Sequence, residues 1–126
     1  MKVYYDRDAD LENIRKLNVS IIGYGSQGHA HALNLRDSGV SVTVGLRDGS
    51  SSAARAESEG LVVLPIESAV KKANIVMILA PDEYQADLFK EVIEPNLQNE
   101  AMLAFAHGFN IHYKQISPDT KHDIFM

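Results

Sequence analysis

Six residues, Gly23-Tyr-Gly-Ser-Gln-Gly28, follow directly on an apolar run, Val19-Ser-Ile-Ile22, and open into an alanine- and leucine-bearing stretch from His29 to Arg36. A strand, a glycine turn and a helix start in that order leave few folds open. The first glycine allows a tight turn, the second lets the backbone approach a phosphate, and the third lets the helix pack close to the strand. The helix then turns its unpaired N–H groups and positive dipole end towards an anion, as a dinucleotide pyrophosphate requires. A lone G-x-G-x-x-G string is weak, because a glycine turn that only closes a β–α connection looks the same. Here the flanking strand and helix, with a second strand at the proper distance, favour nucleotide binding.

The rest of the chain alternates in the same manner. Before Val19 lies a preface in which Asp10 caps a short helix running to Lys16. Strands are expected at Val19–Gly23, Ser41–Gly45, Leu61–Leu64, Asn74–Ala80 and Ala101–Ala106, and a sixth opens at His122–Met126. Helices are expected over Ser26–Ser38 (ending at Gly39), then after a serine-rich loop to Gly60, and from Pro65-Ile66-Glu67 to near Lys72. Another runs from Asp82/Glu83 to about Val92, followed by a helical turn around Ile111–Ile116. Strands separated by helical crossovers predict an α/β fold, a Rossmann-type doubly wound parallel sheet. Residues 1–126 are expected to form a single domain. The chain stops inside its sixth strand, so the expectation is a piece of a longer protein, truncated within or just after that strand.

Composition removes several classes of function. A formal net charge of −5 with no Lys/Arg stripe argues against a nucleic-acid partner. No cysteine is present, which excludes a disulfide framework and a thiolate metal site. The longest uninterrupted apolar run, Ile75 to Ala80, falls far short of the ~20 residues that span a bilayer. The N-terminus has no apolar signal core, and a cytoplasmic location is expected.

In an open parallel sheet, ligands bind at the carboxyl ends of the strands, where strand order reverses. Four segments fall there. Gly23, Tyr24, Gly25, Ser26, Gln27 and Gly28 form the first, facing the pyrophosphate. The second is Gly45-Leu-Arg47-Asp-Gly-Ser50-Ser-Ser52, where an NAD site normally carries an acidic residue for the ribose 2′-hydroxyl. Leu46 stands at roughly that place and Arg47 follows. A guanidinium with the hydroxyls of Ser50 and Ser52 suits a 2′-phosphate, so NADP(H) is favoured over NAD. Asp48 would repel a phosphate if it pointed inward, and it is expected to face water. Three serines beside Gly49 also make an ordinary polar loop. The third segment, Asp82, Glu83, Tyr84 and Gln85, is placed beside the ribose and nicotinamide, although an acidic first turn is also what a helix dipole favours. The fourth is His107, at the end of strand five, where the nicotinamide meets substrate and a proton donor is useful. His29 and His31, two apart, do not share a helix face, and no metal constellation is read anywhere in the chain.

Taken together, Gly23-Tyr-Gly-Ser-Gln-Gly-His-Ala-His-Ala32, Val44-Gly-Leu-Arg47 with Ser50 and Ser52, Leu79-Ala-Pro-Asp82, and Leu103-Ala-Phe-Ala-His-Gly-Phe109 closely resemble the N-terminal half of ketol-acid reductoisomerase, in its short bacterial form. That enzyme family is also called acetohydroxyacid isomeroreductase. The resemblance implies a role in isoleucine, leucine and valine biosynthesis. A magnesium-dependent alkyl shift in 2-acetolactate or 2-aceto-2-hydroxybutyrate is followed by NADPH reduction to a 2,3-dihydroxy acid. It further implies that Tyr24 to Gln27 hold the pyrophosphate, that Arg47, Ser50 and Ser52 hold the 2′-phosphate, and that Asp82 to Gln85 line the cofactor cleft. By the same resemblance His107 is the active-site histidine, and the full-length parent is a homo-oligomer. The family's magnesium ligands, Asp and Glu on a helical C-terminal domain, have no counterpart before Met126.

Two rivals share some of these features. One is another NADP-dependent reductase, such as a pyrroline-carboxylate reductase or a hydroxyacid dehydrogenase, which lacks the paired QGHAHA and FAHGF strings. The other is a stand-alone nucleotide-sensing regulatory module. Because isomerisation needs metal ions on the migrating centre's oxygens, the 126 residues alone are expected to be inactive. A steady-state assay with acetolactate, magnesium and NADPH should read background, and measurable turnover would contradict this expectation.

Overall fold

In a computed structural model, which describes residues 1–126, the apolar runs become the strands of one sheet. The strands are β1 (Asn18–Ile22), β2 (Ser41–Leu46), β3 (Val62–Pro65), β4 (Ile75–Ile78), β5 (Met102–Phe105) and β6 (Ile124–Phe125). Their order is β3-β2-β1-β4-β5-β6, and every neighbouring pair is parallel. The chain builds outward from β1 in one direction, then returns to its other side and builds the opposite way. The reversal falls between β1 and β4. This is the expected doubly wound sheet.

Helix α1 (Glu12–Arg15) precedes β1, and α2 (Ser26–Asp37), α3 (Ala53–Ser58), α4 (Ile66–Lys72), α5 (Asp82–Leu88) and α6 (Phe109–His112) lie between successive strands. Side chains alternate across the sheet, so it has two apolar faces. Val19, Ile21, Val44 and Ile75 enter one core with Ala32 of α2 and Ala56 of α3. Ile22, Val76, Ile78 and Leu103 enter the other with Ala69 and Val70 of α4. Such two-sided burial is why β4 reads as a continuous apolar run. Ser20 points to the α4 side and is 1% exposed, and its hydroxyl donates to the Ala69 carbonyl at 2.8 Å. Gly45 lets this face close up, since a Cβ there would lie 2.7 Å from Ile22 Cδ1.

Several boundaries differ from the sequence reading. Asp10 does accept from the Glu12 N–H at 3.0 Å, but α1 is a single turn. The helix expected from Asp82 to Val92 changes form after Leu88 into a wider π turn, Phe89–Ile93, and then a 3-10 turn, Glu94–Asn96. The wider turn buries both Phe89 and Ile93, and Pro95 has no N–H with which to continue an α-helix. The last helical turn covers Phe109–His112, earlier than Ile111–Ile116. Lys114 takes φ +56, and the Gln115 and Ile116 amides both fold back onto the Asn110 carbonyl, at 2.9 and 3.0 Å.

Ile78 is fully buried in the second core, beside β1 and below the strand ends. Ile78→Ala is expected to cost about 2–5 kcal/mol of stability. Urea denaturation measures it, and a loss under 1 kcal/mol would mean that the core relaxes around the gap.

Candidate functional site

Where β1 and β4 part, their carboxyl ends open into a cleft of about 920 Å³. The glycine turn forms its floor. Gly23 takes φ +98 and is pressed against β4, since a Cβ on it would fall 2.9 Å from the Ala80 amide nitrogen. Gly28 lies under the turn, where a Cβ would collide with the Gly23 carbonyl oxygen. Gly25 differs from both. Nothing lies within 4 Å of the Cβ position there, so the space above the start of α2 is open.

Gly25 is the N-cap of α2, and no side chain caps that helix. The amides of Ser26, Gln27 and Gly28 have no acceptor within the protein. Three unspent donors at the positive end of a twelve-residue helix are suited to an anion.

Beside the turn, β2 ends at Leu46, and Arg47 to Ser50 curl back with Gly49 at φ +73. The Ser50 amide donates to the Arg47 carbonyl at 3.2 Å, and Ser52 leads into α3. Arg47, Ser50 and Ser52 all line the cleft, and the guanidinium of Arg47 takes no carboxylate partner. Asp48 is exposed and does not line the cleft, in keeping with the expectation that it faces water.

On the far wall stand the β4–α5 and β5–α6 loops. Asp82, Tyr84 and Gln85 line the cleft, but Glu83 does not. Glu83 is exposed to solvent instead. Of the four residues expected along this wall, three border the cleft and Glu83 stands outside it. Gln85 also differs in kind, for it is 4% exposed and its amide is used within the protein. Its Nε2 donates to the Ala80 carbonyl at 2.6 Å and to Asp82 Oδ1 at 3.2 Å, while its Oε1 accepts from Asn110 Nδ2 at 3.0 Å. Asn110 Nδ2 also reaches the Asp82 carbonyl, so the pair of amides clamps the two loops together.

The clamp holds His107 at the cleft mouth, exposed, with Nδ1 3.9 Å from Asp82 Oδ2. Nδ1 accepts the Phe109 amide N–H at 3.1 Å. In the neutral ring the proton therefore sits on Nε2, which is left as a donor. No group of three or more His, Asp or Glu is arranged to hold a metal ion.

One cluster has no precursor in the sequence reading. The Tyr24 hydroxyl donates to Glu59, just beyond α3, and His29 Nε2 lies 2.9 Å from the other carboxylate oxygen. Burial, and then the bond to Glu59, push the Tyr24 phenol up to about 12. The same bond holds the Glu59 carboxyl below its ordinary range. Residues 35 apart leave no local pattern, so only the fold reveals the pair.

The strand order, the bare helix start and the cleft at the switch point define a dinucleotide-binding Rossmann domain. The family described as "Acetohydroxy acid isomeroreductase, NADPH-binding domain" matches residues 13–126, and the chain belongs to that family. It is similar to an NADH-preferring ketol-acid reductoisomerase from an uncultured archean, at 38% identity and a TM-score of 0.91 over 98% of this chain. The chain spans 39% of that protein's length. A semialdehyde dehydrogenase NAD-binding protein from Cupriavidus necator, solved with calcium and NAD, shares 17% identity and a TM-score of 0.74, over 86% of this chain and 39% of that one. Mycobacterium tuberculosis 3-hydroxyisobutyrate dehydrogenase also shares 17%, with a TM-score of 0.71 over 86% of this chain and 38% of its own. Both are likenesses of fold. No helix is long and apolar enough to cross a membrane.

The Tyr24–Glu59 bond gives stability a dependence on pH of known sign. Glu59 is lowered on folding, so its contribution is present above its ordinary value of 4.5 and lost as pH falls below that. Tyr24 is raised, so its contribution is present below 10.0 and lost as pH climbs towards about 12. Glu59→Gln should flatten the acid limb of the stability profile between pH 6 and 3 relative to the unaltered chain, as followed by urea midpoints (roughly the window of carboxylate titration). Parallel profiles would remove Glu59 from the account.

Proposed function

We propose that residues 1–126 are the NADP(H)-holding domain of a ketol-acid reductoisomerase. The observation that carries this reading is the set of three partnerless amides at the start of α2, beneath open space at Gly25 and beside Arg47. Tyr24 to Gln27 receive the pyrophosphate, Arg47 with Ser50 and Ser52 receives the 2′-phosphate, and Asp82 and Tyr84 flank the nicotinamide end. Gly23, Gly28 and Gln85 serve by shaping the cleft. The solved relative is described as NADH-preferring. In this chain a guanidinium and two hydroxyls, with Asp48 turned away, favour the phosphorylated cofactor.

In the whole protein we place this domain in the conversion of 2-acetolactate or 2-aceto-2-hydroxybutyrate to 2,3-dihydroxy acids, on the path to branched-chain amino acids. Family membership supports that reaction, together with its magnesium requirement, its cytoplasmic setting and a homo-oligomeric parent. The reduced nicotinamide supplies a hydride when bound. His107, with its Nε2–H free, donates a hydrogen bond to a substrate oxygen, and the Gln85–Asn110 clamp fixes its loop.

Calorimetry with NADPH and NADH tests the assignment. The unaltered chain should bind NADPH. Arg47→Asp should weaken NADPH at least roughly tenfold, since charge-assisted bonds to the phosphate become repulsion, and should affect NADH far less. Equal loss for both cofactors would remove Arg47 from its assigned role.

A further inference from the structure

The two phosphate-facing segments of the cleft belong to different elements, yet a part-buried side-chain tie joins them. Tyr24, the second residue of the glycine turn, is 5% exposed and donates its hydroxyl to Glu59 Oε2. Glu59 directly follows α3, and Ser52 directly precedes it. Six helical residues separate them, too short a rod to absorb a displacement. Whatever fixes Glu59 therefore fixes the Ser50–Ser52 loop at the other end of α3.

Glu59 is fixed from several sides. His29 Nε2 meets Oε1 at 2.9 Å, Arg55 Nε stands 3.5 Å from the same oxygen, and Arg36 Nη1 donates to the Glu59 carbonyl. The His29 ring stands edge-on to Tyr24, at 5.5 Å between centroids and 83° between planes. The glycine turn, α2 and α3 are thus bolted together, with Tyr24 reaching from the cleft lining to a cluster that stands outside it. The amides that face the pyrophosphate do not depend on this bolt, because the close packing of Gly23 and Gly28 already holds them.

We propose that Tyr24 and Glu59 are positioning residues that set the spacing between the pyrophosphate turn and the 2′-phosphate loop, and thereby the preference for the phosphorylated dinucleotide. The inference rests on the cofactor reading above. A cofactor with phosphate at both places senses the spacing, whereas its dephospho counterpart engages only the turn. Loosening the tie then costs the first ligand more than the second.

Titrations of NADPH and NADH into the unaltered chain and into Tyr24→Phe, Glu59→Ala and Glu59→Gln test it. Tyr24→Phe and Glu59→Ala are expected to raise the NADPH Kd roughly fivefold or more, as loss of a hydrogen bond to a charged group implies, and Glu59→Ala, which lies outside the cleft lining, should change NADH less than about twofold. The double variant should be no worse than Glu59→Ala alone, because that change already removes the bond that Tyr24→Phe removes. Glu59→Gln, which keeps an oxygen for the Tyr24 hydroxyl, should recover most of the preference. A lower melting temperature with unchanged preference, or equal loss for both cofactors, overturns the inference while leaving the cofactor reading intact. An unaltered chain that binds neither dinucleotide overturns both.

Discussion

A close backbone approach underlies the switch point, where α2 rests on the end of β1 and β1 against the chain just past β4. The Gly23 carbonyl occupies the room a side chain at Gly28 would need, and Ala80 does the same to Gly23. Helix and strands meet here with no side chain between them. Because α2 sits so near, its first three amides project into the cleft instead of into a loop. Because β1 and β4 finish level, the cleft opens between them and not above one of them.

The remainder of the fold supports that junction from both faces of the sheet. Two apolar cores hold β1 and β4, and each strand contributes alternate side chains to each core. The polar groups this burial entails are all accommodated, for no buried side-chain nitrogen or oxygen lacks a partner. Ser20 bonds to the α4 backbone, while Gln85 and Asn110 bond across two loops. These last two show how a cleft wall built from loops is made firm. Asn110 donates to the Gln85 side chain and to the Asp82 carbonyl, tying the loop that bears His107 to the one that bears Asp82.

Much of this was legible in the chain itself. The glycine spacing, the apolar runs and the prolines at 65 and 81 mark the strands and the carboxyl-end loops, because each is a local constraint on backbone or burial. Strand ends were less legible. Asn74 and Leu79 still bond to β1 just outside β4, so the edges of a strand are set by neighbours distant in sequence. The π turn after Leu88 was not legible, because Phe89 and Ile93 stand four apart and would share one face of an ordinary α-helix just as well. Glu83 stands in solvent outside the cleft while Tyr84 beside it lines the cleft, a difference the run of polar residues at 82–85 does not report. Tyr24–Glu59 and Gln85–Asn110 were invisible because each joins residues at least 25 positions apart.

The three glycines of the turn carry different obligations. At positions 23 and 28 a methyl group would strike main chain, so folding itself demands their absence of side chain. At 25 it would strike nothing, and the local φ of −76 is one that any residue adopts. The missing side chain there leaves the cleft above α2 open. A chain that kept the outer pair but lost the middle one would still coil into the same architecture, with its doorway narrowed. In this motif, competence to fold and competence to receive a ligand are written in separate letters.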